Sequence, residues 1–397
     1  MSDLTTDNTA RRRAMGIVVA FGVVSLFGDI VYEGARGVIG PYLLTLGASA
    51  AVVGFVSGAG EFAGYALRTV TGWFADRTGG YWAMTFFGYG LTVVAVPLLG
   101  WVGRVDLALA LVVAERLGKA IRSPARDALL ADAAEPLGRG WGFGIHEALD
   151  QTGAVLGPLL LAAVLAMREA DYRLAFTILA VPGVLALASL FVARRLIPSR
   201  HHVAPGPSVD VGGDDRSASA RLYLLFVFLT AIGFAPFPLI GFHLSARGVF
   251  DAAQVPLLFA AAMAVDAVAA LVSGRLYDRR GLQVLVAAPV LSVAALAAFT
   301  TAAWAVWLAM AAWGAVMGVQ ESTLRAAVGD LSVSARRATA YGVFNTAFGM
   351  ALLIGGVTLG FLYDLSIPVL AGVVIATQVA AVMVLRRLLG SVEGAAA

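Results

Sequence analysis

Apolar residues in this chain come in blocks of roughly twenty, the length an α-helix needs to cross about 30 Å of hydrocarbon. Twelve such blocks follow one another, at 15–44, 51–74, 81–101, 107–127, 141–165, 172–194, 220–246, 253–275, 281–300, 302–326, 338–361 and 366–388. Ten-residue segments of strict apolar–polar alternation, the mark of an outer-membrane barrel, are absent. The pattern predicts an all-α integral membrane protein with 12 transmembrane helices. One long polar stretch, 198–219, is rich in Pro, Gly, Asp, Ser and His and reads as a flexible linker. It divides the chain into a tail (1–14), a six-helix bundle (15–197), the linker, and a second six-helix bundle with its own tail (220–397).

With 60% hydrophobic and 13% charged residues, the chain carries about half the charge of a soluble domain. The placement of that charge adds topology. With the termini set inside, the arginine clusters at 11–13, 194–195, 279–280, 336–337 and 386–387 all fall inside, and only Arg104, Arg168, Arg173 and Arg247 fall outside. That asymmetry points both termini into the cytoplasm of a cell (inner or plasma) membrane. It also accounts for the net charge of +3 without a nucleic-acid partner. Arg11–Arg13 precede a long apolar block with no small-residue cleavage pattern, so the first helix is expected to be retained. The chain has no cysteine, and His201 and His202 in the linker are expected to be solvated, so no metal site and no cofactor is predicted.

The two halves repeat. Gly72, Asp76, Arg77 and Gly79 follow the second block, and Gly274, Asp278, Arg279 and Gly281 follow the eighth. Asp132, Gly144 and Gly157 recur as Asp330, Gly342 and Gly355 at a constant offset of 198. Duplication of this kind in a polytopic chain indicates a two-bundle transporter. At these residues the chain resembles the major facilitator superfamily, whose first signature is a G-x-x-x-D-R-x-G loop between helices 2 and 3. The basic end of that signature is replaced by Gly80, Tyr81 and Trp82. Arg116 is similar to the family's intramembrane arginine in helix 4, with Lys119 and Ala120 in the positions of its Gln and Gly. Gly153, Gly157 and Pro158 resemble the helix-5 G-x-x-x-G-P pattern of proton-coupled drug antiporters, whose closing Gly-Gly is here Leu161-Ala162. The resemblance implies alternating access, a central cavity lined by helices 1, 4, 7 and 10, and gating loops at Asp76–Arg77 and Asp278–Arg279.

Charge then appears where lipid-embedded helices should have none. Asp29, Glu33 and Arg36 form one stripe in the first helix, and Glu115, Lys119 and Arg122 another in the fourth, where Lys119 is the only lysine of the chain. Glu61 and Arg68 add to the second helix, and His146, Glu147, Asp150 and Gln151 to the fifth. Ionisable groups at such depth mark a functional site by default. Burial raises a carboxyl pKa and a neighbouring cation lowers it, so a carboxylate between the two can load and release a proton. Asp29, Glu33, Glu61, Glu147 and Asp150 are the proton-coupling candidates. Arg36, Glu115, Arg116, Lys119, Arg122 and Gln151, with Glu321 and Asn345 of the second bundle, are the substrate and counter-charge candidates. The plainer alternatives are ion pairs of Asp29 and Glu33 with Arg36 or Lys119, headgroup snorkelling by Arg122 and Arg126, and simple packing for His146.

These features favour proton-coupled export of small amphipathic or cationic organic compounds; the alternative is proton-linked uptake of an organic anion. An enzyme would need a nucleophile–base set or a metal cluster, and neither is apparent. No phosphate-cradling Gly-x-x-x-x-Gly-Lys-Ser/Thr loop is present, so ATP is not the energy source. Nothing in the sequence demands more than a monomer.

Overall fold

The computed structural model describes residues 2–196, 218–331 and 337–396, with side chains at 11–138, 141–196, 219–331 and 340–392. Most of the expected linker, with His201 and His202, lies outside the described residues. Every described element is helical. In the first half these are α1 (Ser2–Thr45), α2 (Ala50–Thr78), α3 (Tyr81–Leu99), α4 (Val105–Ala134), α5 (Arg139–Met167), α6 (Tyr172–Ile178) and α7 (Ala180–Leu196). The second half has α8 (Ala218–Ile232), α9 (Phe237–Ala246), α10 (Gln254–Arg280), α11 (Ala287–Ala295), α12 (Ala303–Val319), α13 (Arg325–Leu331), α14 (Arg337–Leu365) and α15 (Ile367–Ala396).

These elements reproduce the twelve expected spans. Among the described residues, 10 helical stretches are long and apolar enough to cross a membrane. One of them, Gln254–Phe299, holds two spans end to end, and α4 misses the set because of the charge it carries. Four spans are not single α-helices. The sixth breaks between α6 and α7 after Ile178, and the seventh at Gly233–Pro236 between α8 and α9. The ninth is α11 flanked by 3-10 turns, and the tenth joins α12 to α13 through a π-turn at Gln320–Leu324. The first helix runs through the expected tail from Ser2. The repeated loop closes alike in both halves: Gly79 and Gly281 have φ of +64° and +58°, a region favouring glycine.

The chain forms two compact units: Met1–Arg36 with Leu67–Gly206, and Gly37–Ala66 with Pro207–Ala397. In the first, Pro124 sits inside α4 and has no N–H for the carbonyl of Ala120 one turn back. The Thr71 hydroxyl of α2 lies 2.8 Å from that carbonyl, nearer than to the carbonyls of Leu67 at 3.0 Å and Arg68 at 3.3 Å in its own helix, and its hydrogen given to Ala120 replaces the missing bond. Thr71→Val therefore leaves a buried acceptor unsatisfied and is expected to cost about 1–3 kcal/mol. In a Pro124→Ala background the helix supplies its own donor, so a double-mutant cycle read by thermal unfolding should show Thr71→Val costing much less there. Equal costs in both backgrounds would refute the role given to Thr71.

The second unit has an aromatic centre at the break in the seventh span. Phe234 stacks on Trp313 at 5.3 Å, and Phe237 and Phe259 lie 5.9 Å from the same ring. The indole N–H of Trp313 donates to the carbonyl of Ala235 at 2.9 Å, and Gln378 Nε2 donates to that of Thr230 at 3.0 Å. Both bonds serve backbone around the interruption before Pro236. In the same unit α2 and α14 meet along glycines, with Gly54 against Gly356 and Gly360. The Asp364 carboxylate accepts the N–H groups of Ala50 and Ala51 at 3.3 and 2.9 Å, capping α2 from a distant part of the chain.

Candidate functional site

The charged face of the first unit exists because α1 and α5 touch backbone to backbone. Gly153 lies on Leu26, and Gly157 on Ile30 and Gly34; a Cβ at either glycine would collide with main-chain atoms. This approach, one turn from Asp150, carries that residue onto the Asp29 side of α1. Asp150 comes within electrostatic reach of Asp29, which is 6% exposed. Like charges held close in a buried site repel, so the two carboxyl groups do not ionise independently.

Cations from α4 surround the pair. Lys119 and Arg122 face Asp29, and Lys119 and Arg126 face Asp150. Lys119 Nζ stands 3.4 Å from the centroid of the Tyr32 ring, and the Arg116 guanidinium 4.5 Å from it. Two cations on one ring use the negative potential of its face. Glu115 pairs with Arg116 at 3.5 Å, and Glu33 with Arg36 at 3.5 Å. Arg122 is 1% exposed; it donates to Thr92 Oγ1 at 2.7 Å and covers the Tyr89 ring at 4.4 Å. It does not snorkel. Arg126 does not either: it donates to Ser25 Oγ at 2.9 Å and to Asp127 at 2.8 Å, and Ser25 is bonded to His146 Nε2 at 2.7 Å.

The structure therefore brings Asp29, Glu33, Arg36, Glu115, Arg116, Lys119, Arg122 and Asp150 into one unit on three helices. The remaining expected site residues are not among these. Glu147 is exposed on α5 and accepts the Gln151 amide at 3.3 Å. Glu61, Glu321 in the π-turn, and half-buried Asn345 on α14 all belong to the second unit. At the loop positions, Asp76 accepts from the Tyr81 hydroxyl at 2.8 Å, Arg77 lies 5.4 Å from the Trp73 ring, and Asp278 and Arg279 are exposed at the end of α10. Sequence reasoning passed over Ser25, Tyr32, Tyr89 and Thr92 as site residues. Helical spacing held a signal for two of these, since Ser25 and Tyr32 fall at i−4 and i+3 from Asp29. Among the described residues no cluster of three or more His, Asp or Glu is placed to hold a metal ion.

Residues 14–356 match the sequence model of the Major Facilitator Superfamily. An uncharacterized protein of Mycobacterium tuberculosis is 48% identical over 379 residues, covering 94% of this chain and 92% of that one. An uncharacterized MFS-type transporter of Methanocaldococcus jannaschii is 26% identical, covering 92% of each. Among solved structures, the nucleoside transporter NupG superposes with a TM-score of 0.73 at 13% identity, covering 94% of this chain and 98% of that one. A bacterial homolog of the human lysosomal transporter Spinster does so with 0.65 at 16% identity, covering 95% of each.

Proposed function

The chain belongs to the Major Facilitator Superfamily, a membership that makes it a multi-pass secondary transporter of a small molecule and not an enzyme, and from that premise we propose proton-coupled export of small amphipathic or cationic organic compounds by alternating access. The observation that carries this reading is the Asp29–Asp150 carboxyl pair beside Lys119. A pair holding a proton in one state can exchange it for a positively charged group in the other. The acids of the stripe, Glu33 and Glu115, add to its preference for cations. In this reading both termini face the cytoplasm, the protein acts as a monomer in the cell membrane, and Asp76–Arg77 and Asp278–Arg279 form the inner gate.

A second reading keeps the fold and reverses the flow. Lys119 rests on the ring of Tyr32, and Arg122 on Tyr89 and Thr92, so both cations make contacts with neutral groups. An organic anion entering with a proton would find its counter-charge there, with Arg36 and Arg116.

The test is reconstitution into liposomes holding a pH-sensitive dye, with an acid-inside gradient and external tetraphenylphosphonium, ethidium, betaine or benzoate. Export predicts proton efflux triggered by a cation and abolished in Asp29→Asn. Proton movement with benzoate alone, stopped by Lys119→Gln, would replace export by anion uptake. If no compound moves protons, proton coupling falls.

A further inference from the structure

Alternating access requires a contact that closes one end of the carrier in one state and breaks in the other. Within the second unit, α2 and α14 meet in a way suited to that task. Leu352, Gly356, Gly360 and Asp364 recur at every fourth residue of α14 and form one stripe, and Ala50, Gly54 and Gly58 do the same on α2. The stripes touch main chain to main chain: a Cβ on Gly360, Gly356 or Gly58 would collide with backbone of Ala50, Gly54 or Leu352 in turn. Faces of this small-x-x-x-small kind hold by van der Waals contact, and they part without stranding a polar group. Asp364 differs. It ends its stripe one turn beyond Gly360, and its two carboxylate oxygens accept the N–H groups of Ala50 and Ala51, the first of α2. A helix leaves its opening N–H groups without partners in its own backbone. Ser49 serves one of them from within the same segment, accepting the N–H of Val52 at 3.3 Å. Ala51, by contrast, relies on a residue 313 positions along the chain. The charge of Asp364 also meets the positive end of the α2 dipole.

α2 runs without a proline from Ala50 to Thr78. Its residues up to Ala66 pack with the second unit, and those from Leu67 with the first. Because the helix is continuous, motion of Leu67–Thr78 with the first unit draws Ala50 and Ala51 away from Asp364. We propose that Asp364 is a latch: its carboxylate holds α2 on α14 while this end is closed, and the strength of that cap sets how often the end opens. The latch rests on alternating access, and on neither the cargo nor the ion that drives it. It stands at the opposite end of α2 from the gate assigned to Asp76–Arg77.

The chain has no cysteine, so two introduced cysteines take spin labels specifically. Labels at Phe55→Cys of α2 and Phe361→Cys of α14, both exposed positions, report the separation of the two helices by double electron–electron resonance in lipid nanodiscs. The labelled parent should show mainly a short distance. Asp364→Ala should raise the ratio of long to short distances roughly fivefold, the effect of losing one helix cap. Asp364→Asn, which keeps one acceptor oxygen, should raise it less. Ser49→Ala removes a cap that travels with α2, so it should lower the unfolding temperature and leave the distances unchanged. Gly54→Leu, whose side chain has no room against Gly356, should open the pair and mark the long distance. Unchanged distances in Asp364→Ala while Gly54→Leu opens the pair would overturn the latch and leave alternating access standing. A shift in Ser49→Ala equal to that in Asp364→Ala would overturn it too, by making Asp364 a general support of α2. If no variant lengthens the distance, α2 and α14 do not part, and the latch falls with the moving contact on which it rests.

Discussion

Arg122→Ala should destabilise the protein by about 3–5 kcal/mol, the cost of removing one member of a buried charge set while its partners stay behind. The guanidinium is almost wholly buried, bound to the Thr92 hydroxyl and laid over Tyr89, and it is one of the cations facing Asp29. Alanine removes those contacts and leaves a hole between α3 and α4. It also leaves Asp29 and Asp150 with one cation fewer. Arg122→Lys keeps the charge but neither the planar fork nor its stacking, so an intermediate loss is expected. Unfolding in detergent, followed by tryptophan fluorescence, reads the series. A change below about 1 kcal/mol for alanine, the scale of exposed ion pairs, would mean that the guanidinium is solvated and not part of a buried site.

Gly54→Leu should have the next largest effect, with a loss of about 1–3 kcal/mol from overpacking. The Cβ position at Gly54 lies on the carbonyl oxygen of Gly356, and backbone cannot step aside as a flexible side chain can. Gly64, one helix segment further along, has nothing within 4 Å of its Cβ position. Gly64→Ala should therefore gain up to about 1 kcal/mol from helix propensity alone. Opposite signs at two glycines of one helix separate close approach from propensity, and a gain at both would show that α2 and α14 are not in backbone contact. If these helices part during the transport cycle, leucine at Gly54 should also shift the conformational balance, which cross-linking of α2 to α14 would report.

The chemistry of the site was only partly visible beforehand. Asp29, Lys119 and Asp150 stand out in sequence because charge inside an apolar run is costly and needs a reason. Their partnership does not, since spacing tells which residues share a face of one helix and not which faces of two helices meet. The same limit explains Tyr32, an ordinary helix aromatic until two cations are found on its ring, and His146, whose bond to Ser25 links positions 121 residues apart. The breaks in the sixth and seventh spans escaped a hydropathy window because both sides of each break are equally apolar.

Taken alone, the sequence determined the all-helical membrane fold and its twelve spans, since hydrocarbon leaves an apolar segment of that length no other way to satisfy its backbone. It also determined the internal repeat, and which helices carry charge. Tertiary structure decided what those charges face. The glycine contacts of α5 with α1 set Asp150 beside Asp29, Thr71 of α2 replaced the donor that Pro124 lacks, and Asp364 of α14 capped α2. Each of these depends on the distance and rotation between two helices, which packing sets and which no pattern along a single helix contains.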